Sequence, residues 1–231
     1  MRLYARIYPS LNIHPQATGR WSITEPPLAQ LPSDLRGVIK PDPGTAWLGH
    51  DWDQIELRIQ AGLANDLPLL EAFKRRWDVH TYNACDLFQW AYPPDLTNVH
   101  KGVDNEAWRL ARKWEGKDDI RRVFGKRFVY RLIYRGDPRF AADIPGAKTL
   151  GLGSGQLVRA SQNWLIPHHA IRAYWARVDA AIRARGFSET WAGRKRRALS
   201  LGPRGLITAS TFRELCNHVI QGGALDILNL T

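Results

Sequence analysis

Hydrophobic positions follow two rhythms along this chain, and the change between them gives a first outline of the fold. Residues 1–46 are broken every few positions by proline, glycine or polar turn residues, which predicts short strands and loops. Thr45-Ala46-Trp47-Leu48-Gly49-His50-Asp51 reads as a buried strand that ends on a carboxylate. The spacing then turns helical at Ile55, Leu57, Ile59 and Leu63. It continues through Leu67, Leu69, Leu70 and Phe73, with a break expected at Asn65-Asp66 and Pro68. His80 to Ala91 predicts another helix and 93–105 a loop. Asp118 to about Tyr134 predicts one basic, aromatic helix whose only interior breaker is Gly125. The glycines and prolines from Gly136 to Gly155 predict a loop-rich stretch. Pro167 to Arg185 carries Ile171, Tyr174, Trp175, Val178, Ala181 and Ile182 on one face, an amphipathic helix that Gly186 is placed to cap. Phe187 to Ser200 predicts a β-hairpin turning at Ala192-Gly193, and Thr211 to Leu228 a last helix. The fold class is α+β, with short strands near both ends of a helical middle.

A length of 231 residues suits one domain or two closely packed subdomains, and 44 % hydrophobic residues can fill a sizeable core. No run approaches the roughly 18 apolar residues of a membrane span, and the N-terminus lacks the apolar stretch of a signal peptide. A cytoplasmic location follows as the expectation. Cys85 and Cys216 stand far apart and outside any zinc-like spacing, so reduced structural thiols are expected, with a disulfide left open. Charge changes the picture more. Lys plus Arg is 33 against 22 Asp plus Glu, a net +11, which suits a polyanionic partner. Arginine can grip phosphate with two bonds, and ten tryptophans offer stacking surfaces for exposed bases. A basic protein with its tryptophans in the core fits the same composition.

Two segments hold candidate chemistry. In Asp51-Trp52-Asp53-Gln54-Ile55-Glu56-Leu57-Arg58, three acids fall within six residues of an otherwise basic chain. A carboxylate at a strand end can hold Mg2+ together with substrate phosphate oxygens; acids at a helix start are also favourable without a metal. In the second segment Arg122, Lys126, Tyr130 and Tyr134 recur every four residues and share one helix face. Two cations followed by two rings suit a triphosphate joined to a base. A basic helix with its rings in the core is the plainer reading.

Five segments, in order, resemble the polymerase region of family A DNA polymerases, the bacterial polymerase I type. Ala17 to Pro32 resembles the TGR-LSS-TDPNLQNIP stretch, and His50 to Arg58 the first palm motif, DYSQIELR. Asp78-Val79-His80-Thr81 resembles the DIH-T segment, and Arg122 to Tyr134 the fingers helix. Arg213, Asn217 and Gln221 to Ile227 resemble the late R-x-x-x-N-x-x-x-QG-x-A-A-D-I helix. The resemblance implies a mostly helical fingers subdomain inserted in an incomplete palm with short antiparallel strands. Its parts would be residues 1–60 (first part of the palm), 61–165 (fingers) and 166–231 (second part of the palm).

The resemblance also implies roles. Asp51 would hold catalytic Mg2+, two ions in the complete site, with the backbone carbonyl of Trp52. Glu56 would exclude a 2′-hydroxyl from the sugar pocket, supported by Gln54. His80, Arg122 and Lys126 would bind the dNTP triphosphate, Lys126 also protonating the leaving pyrophosphate. Tyr130 would pack at the incoming sugar and base, and as Tyr rather than Phe would admit dideoxynucleotides. Tyr134 would sit near the templating base, while Arg20, Arg213, Asn217 and Gln221 would contact primer–template DNA, including minor-groove acceptors common to all base pairs. Arg194-Lys195-Arg196-Arg197 reads as a generic phosphate patch or as a solvated hairpin.

Three departures from the family pattern shape the functional expectation. Arg131 and Arg135 replace two fingers glycines and could bring charge to a template strand. The thumb has no counterpart. The second palm motif, a His-Asp-Glu hairpin that supplies another metal carboxylate, is missing before Thr231. The expected function is template-directed DNA synthesis by one piece of a split polymerase, a second polypeptide supplying the missing Asp, in a bacterial or phage-infected cell. The alternatives are a catalytically inactive polymerase-derived DNA-binding protein and a shortened form of a complete enzyme.

Overall fold

The computed structural model describes residues 6–13, 19–32, 34–48, 51–90, 92, 119–198 and 206–230. The loop expected at 93–105 lies outside these residues, as do Gly49 and His50. The chain is α+β: two small antiparallel sheets flank a helical body. β1 (Ser10–Asn12) pairs with β2 (Ser22–Thr24), with Leu11 opposite Ile23.

Among the described residues of the expected strand Thr45–Asp51, which are 45–48 and 51, none is in a strand. Trp47 is 69 % exposed and Leu48 96 % exposed, and no strand is assigned there. An extended apolar segment becomes a strand only when a neighbour pairs its backbone, and no described segment does so.

The helical break is where the pattern predicts it. α1 (Ile55–Ala64) ends on Asn65 in the left-handed region, and α2 (Leu67–Lys74) starts from Asp66, whose carboxylate accepts from the Leu69 N–H at 3.1 Å. α3 (Val79–Phe88) and α4 (Ile120–Ile133) pack closely together. At their crossing Gly125 meets Ala84, and a methyl group on Gly125 would fall 2.5 Å from the Ala84 Cβ. The one breaker in α4 is therefore a contact point between helices, not an end.

The glycine-rich stretch holds an unexpected helix. A 3₁₀ segment (Pro138–Asp143) and turns lead to α5 (Ser154–Leu165). Gly153 sits at the N-cap, its N–H bonded to the Gln156 side chain at 2.8 Å. Gly155 lies in the first turn, outside the helix interior where glycine costs most. Burial of Leu157, Ala160 and Trp164 outweighs that local preference. α6 (His169–Arg185) follows and is capped by Gly186 at φ +72°. It leads into the hairpin β3 (Phe187–Glu189) and β4 (Lys195–Arg197), which turns at Gly193 as expected.

The last helix is α7 (Ala209–Asn217) and α8 (Gly223–Leu230), joined without a break by a π-helical turn, His218–Gly222. The sequence predicts one uniform helix here; the wider turn interrupts it where the hairpin packs. The main core joins Leu57, Leu69, Phe124, Phe128, Leu157, Trp164 and Ile171. Cys85 and Cys216 are buried free thiols. No helix among the described residues is long and apolar enough to cross a membrane.

Candidate active site

Asp119 caps α4, accepting from the Arg121 N–H at 2.8 Å. Phe124, Phe128 and Leu132 turn into the core. The Arg122, Lys126, Tyr130, Tyr134 ladder is exposed at Lys126 and half-buried elsewhere, with the two tyrosine rings packed against the edge of the core.

At the N-terminal end of the ladder Arg122 grips Asp78 with two bonds, Nε–Oδ2 at 2.5 Å and Nη2–Oδ1 at 3.0 Å. Asp78 precedes α3 and also accepts from Thr81 at 2.7 Å. Burial works against this carboxylate, but Arg122 outweighs it and holds the group below the usual carboxylate range. His80, 3 % exposed, is pushed down to about 3 by burial; the Asp78 charge resists, and Arg122 and Lys126 add to the depression. His80 is thus a neutral imidazole at neutral pH. It can offer a hydrogen bond, and the positive charge of the expected trio rests on Arg122 and Lys126.

At the other end the ladder meets α1. The Tyr134 hydroxyl donates to Glu56 Oε2, and Arg20 Nη2 pairs with Glu56 Oε1 at 2.6 Å. Gln221, in the π turn, lies close to the same Tyr134 hydroxyl. Tyr130 stands beside Tyr134, ring centroids 6.2 Å apart, and beside His80 at 6.0 Å. Burial and the Glu56 charge raise the Tyr130 hydroxyl to about 12. Residues far apart in sequence, Arg20, Glu56, Tyr130, Tyr134 and Gln221, therefore share one place.

The α1 entrance is strained. Gln54 takes φ +56°, a region unfavourable for a residue with a Cβ and often found at functional sites. Its Oε1 is buried with no hydrogen-bond partner among the described residues. Asp51 and Trp52 lie exposed on irregular chain before it. A pair of Mg2+ ions needs several oxygen donors, and no group of three or more His, Cys, Asp or Glu side chains among the described residues could hold a metal ion. The residues described do not fit a two-metal centre by themselves.

The family model for DNA polymerase family A matches residues 2–231. The chain belongs to DNA polymerase family A. It is 26 % identical over 227 residues to DNA polymerase I of Aquifex aeolicus (strain VF5), covering 97 % of this chain and 34 % of that protein. It is 29 % identical over 231 residues to DNA polymerase I of Chloroflexus aurantiacus, covering 97 % of this chain and 22 % of that protein. This family A chain thus spans about a third of the length of the first of these relatives and less of the second. Among solved structures, the POL domain of Pol1 from M. smegmatis, in complex with DNA primer-template and dNTP, superposes with a TM-score of 0.66 at 25 % identity. The match covers 97 % of this chain and 36 % of that one.

Several cations of this family A chain are committed internally. Arg131 donates to the Asp137 carbonyl at 2.8 Å; Arg135 pairs with Asp179 at 2.5 Å and lies over the Trp175 ring. Arg131 and Arg135, expected to stand where the family has two fingers glycines, thus have partners within the chain. In the expected phosphate patch, Arg194 turns inward to Asp226 and Arg196 pairs with Glu214 at 2.6 Å. Arg213 is exposed on α7, and Asn217 half-buried at its end. Sequence reasoning missed two residues: Asp78 as the partner of Arg122, and Arg194 as a link between elements. A charged residue at a helix N-cap signals the first; nothing local signals the second.

Proposed function

We propose that this chain carries the nucleotide-selecting and primer-positioning part of a family A DNA polymerase and takes part in template-directed DNA synthesis. In this reading 61–165 act as fingers between two palm portions, 1–60 and 166–231. The observation that carries it is the Arg20–Glu56–Tyr134 network, with Gln221 beside the Tyr134 hydroxyl. It unites the residues proposed for sugar selection and for primer–template contact, with Arg122 and Lys126 further along the same helix. The M. smegmatis POL domain, held with primer–template and dNTP in its own structure, supports the same two ligands for this chain.

Among the described residues, Asp51 and the Trp52 carbonyl have no cluster of further ligands with which to hold Mg2+, so other carboxylates would have to join them. We propose that another polypeptide segment supplies them. Trp47, Leu48 and Trp52 support this: they are large exposed apolar side chains near Asp51 in sequence, of the kind a further segment would cover.

Primer extension tests the proposal. The chain is mixed with candidate polypeptides from the same source, Mg2+, template and dNTPs. Extension that appears only in the mixture and disappears with Asp51→Ala is expected. Glu56→Ala should then relax dNTP over rNTP preference, and dideoxynucleotides should terminate synthesis. Primer–template binding without extension in any mixture would instead favour an inactive DNA-binding relative.

A further inference from the structure

The tip of the β3–β4 hairpin grips the π-helical turn. Ser188 Oγ lies 3.0 Å from His218 Nδ1, and Trp191 Nε1 donates to the Gly223 carbonyl at 3.0 Å. Arg194 donates to the Gly222 carbonyl through Nη2 and to Asp226 Oδ1 through Nε at 2.9 Å. A π turn displaces carbonyls from the regular helical ladder, and the hairpin supplies donors at this one. The approach is close enough that a methyl group on Gly222 would fall 3.0 Å from Thr190 Cγ2, and one on Gly223 would fall 2.9 Å from Trp191 Cδ1.

Arg194 has a third neighbour. Gly19, buried at φ +85°, sits directly against its guanidinium, and a methyl group there would overlap Nη1. Gly19 precedes Arg20, and Gly222 follows Gln221. One guanidinium therefore touches the residues next to two proposed primer–template contacts that are far apart in sequence. Arg194 is about one quarter exposed, and its bonds to Gly222 and Asp226 run inward.

We propose that Arg194 is a positioning residue: it locks the Gly19–Arg20 segment to the π turn so that Arg20 and Gln221 meet the primer terminus as one rigid unit. The proposal rests on the reading that Arg20 and Gln221 contact primer–template. It replaces the simple expectation that Arg194 belongs to a phosphate patch, and the two roles differ in what salt does to binding. A lost phosphate contact flattens the salt dependence by about one counterion. A lost positioning bond leaves that slope alone and blurs recognition of a paired primer end.

The test measures binding of the 231-residue chain to fluorescent primer–template with a matched or mismatched 3′ end, over a range of salt. Arg194→Ala should bind the matched end about tenfold more weakly, with an unchanged salt slope and lost preference for the matched end. Arg194→Lys should recover part of that preference, and Gly19→Ala, which displaces the guanidinium from the other side, should reproduce the loss. Arg197→Ala, at an exposed patch cation, is the contrast: a smaller slope with the preference kept. A smaller slope for Arg194→Ala, or an unchanged preference, overturns the proposal. Hydrogen exchange on the same variants provides a readout that needs no DNA. Exchange should rise together at residues 19–21 and 220–226 in Arg194→Ala and Gly19→Ala; a rise in only one segment also overturns it. If the unaltered chain fails to bind primer–template, the DNA reading itself fails, while the exchange experiment still decides whether Arg194 couples the two segments.

Discussion

Tyr134 donates its hydroxyl hydrogen to Glu56 across 78 positions of sequence, joining the end of the basic helix to the start of α1. Burial and the adjacent Glu56 charge both raise the Tyr134 pKa, so the hydroxyl keeps its proton and stays a donor at neutral pH. Hydrogen bonds to charged groups contribute more than neutral ones, about 1.5–3 kcal/mol. Tyr134→Phe is expected to lower unfolding stability by about that amount in urea titration. A loss below about 0.5 kcal/mol would show that solvent satisfies Glu56 equally well.

Arg122 and Asp78 are more deeply placed, with side chains 14 % and 3 % exposed. Removing one member of such a pair leaves the other charge buried and uncompensated, at a cost of about 3–5 kcal/mol. Arg122→Ala should therefore destabilise the fold as well as any triphosphate contact. Asp78→Asn, which keeps the shape and removes the charge, should also destabilise. If Arg122→Ala retains full stability in denaturant, the pair does not hold α4 to the α3 start.

Gly125 distinguishes packing from propensity. Alanine is the better helix former by about 1 kcal/mol, yet its methyl group would fall 2.5 Å from the Ala84 Cβ and 3.0 Å from the Ala84 Cα. Overpacking of this kind costs about 1–3 kcal/mol. Gly125→Ala is predicted to destabilise, and Ala84→Gly in the same chain to restore part of the loss. A stabilised Gly125→Ala would show that α3 and α4 can move apart freely.

Two buried histidines set opposite pH dependences. His168 donates from Nδ1 to Asp66 Oδ1 at 2.8 Å, with Asp86 3.6 Å from Nε2. Burial opposes its charge, but the bond to Asp66 and the nearby Asp86 carboxylate outweigh it and raise its pKa above the ordinary 6.5. Its contribution is then full below about pH 6.5 and is lost as pH rises through the folded value. His80, lowered by burial to about 3, contributes above the ordinary 6.5 and loses that contribution as pH falls toward the folded value. Urea titrations from about pH 5 to about pH 9 should show the gap between wild type and His168→Gln narrowing at the alkaline end. A gap that widens there would mean that His168 is buried neutral.

The helices with a strong local pattern were legible before the fold was known. The Asn65-Asp66-Pro68 break, the Gly186 cap and the Gly193 turn each rest on backbone preferences that one residue type satisfies. The four-residue ladder on α4 was legible for the same reason. Helix α5 was obscured because glycines at its start resemble loop signals, while the core contacts of Leu157 and Trp164 that stabilise it are distant in sequence. Thr45–Asp51 failed in the opposite sense: its pattern suits a strand, and pairing partners decide whether one forms.

By itself the sequence determined the α+β class, most helix boundaries, the cationic–aromatic face of α4 and the family resemblance, since each depends on residue type at short spacing. Tertiary structure alone decided where charge goes. It paired Arg122 with Asp78, turned Arg194 inward and made His80 neutral, because Coulomb energies and desolvation depend on distances and burial that sequence spacing does not encode. It also brought Arg20, Glu56, Tyr134 and Gln221 to one place, a convergence that only chain folding creates.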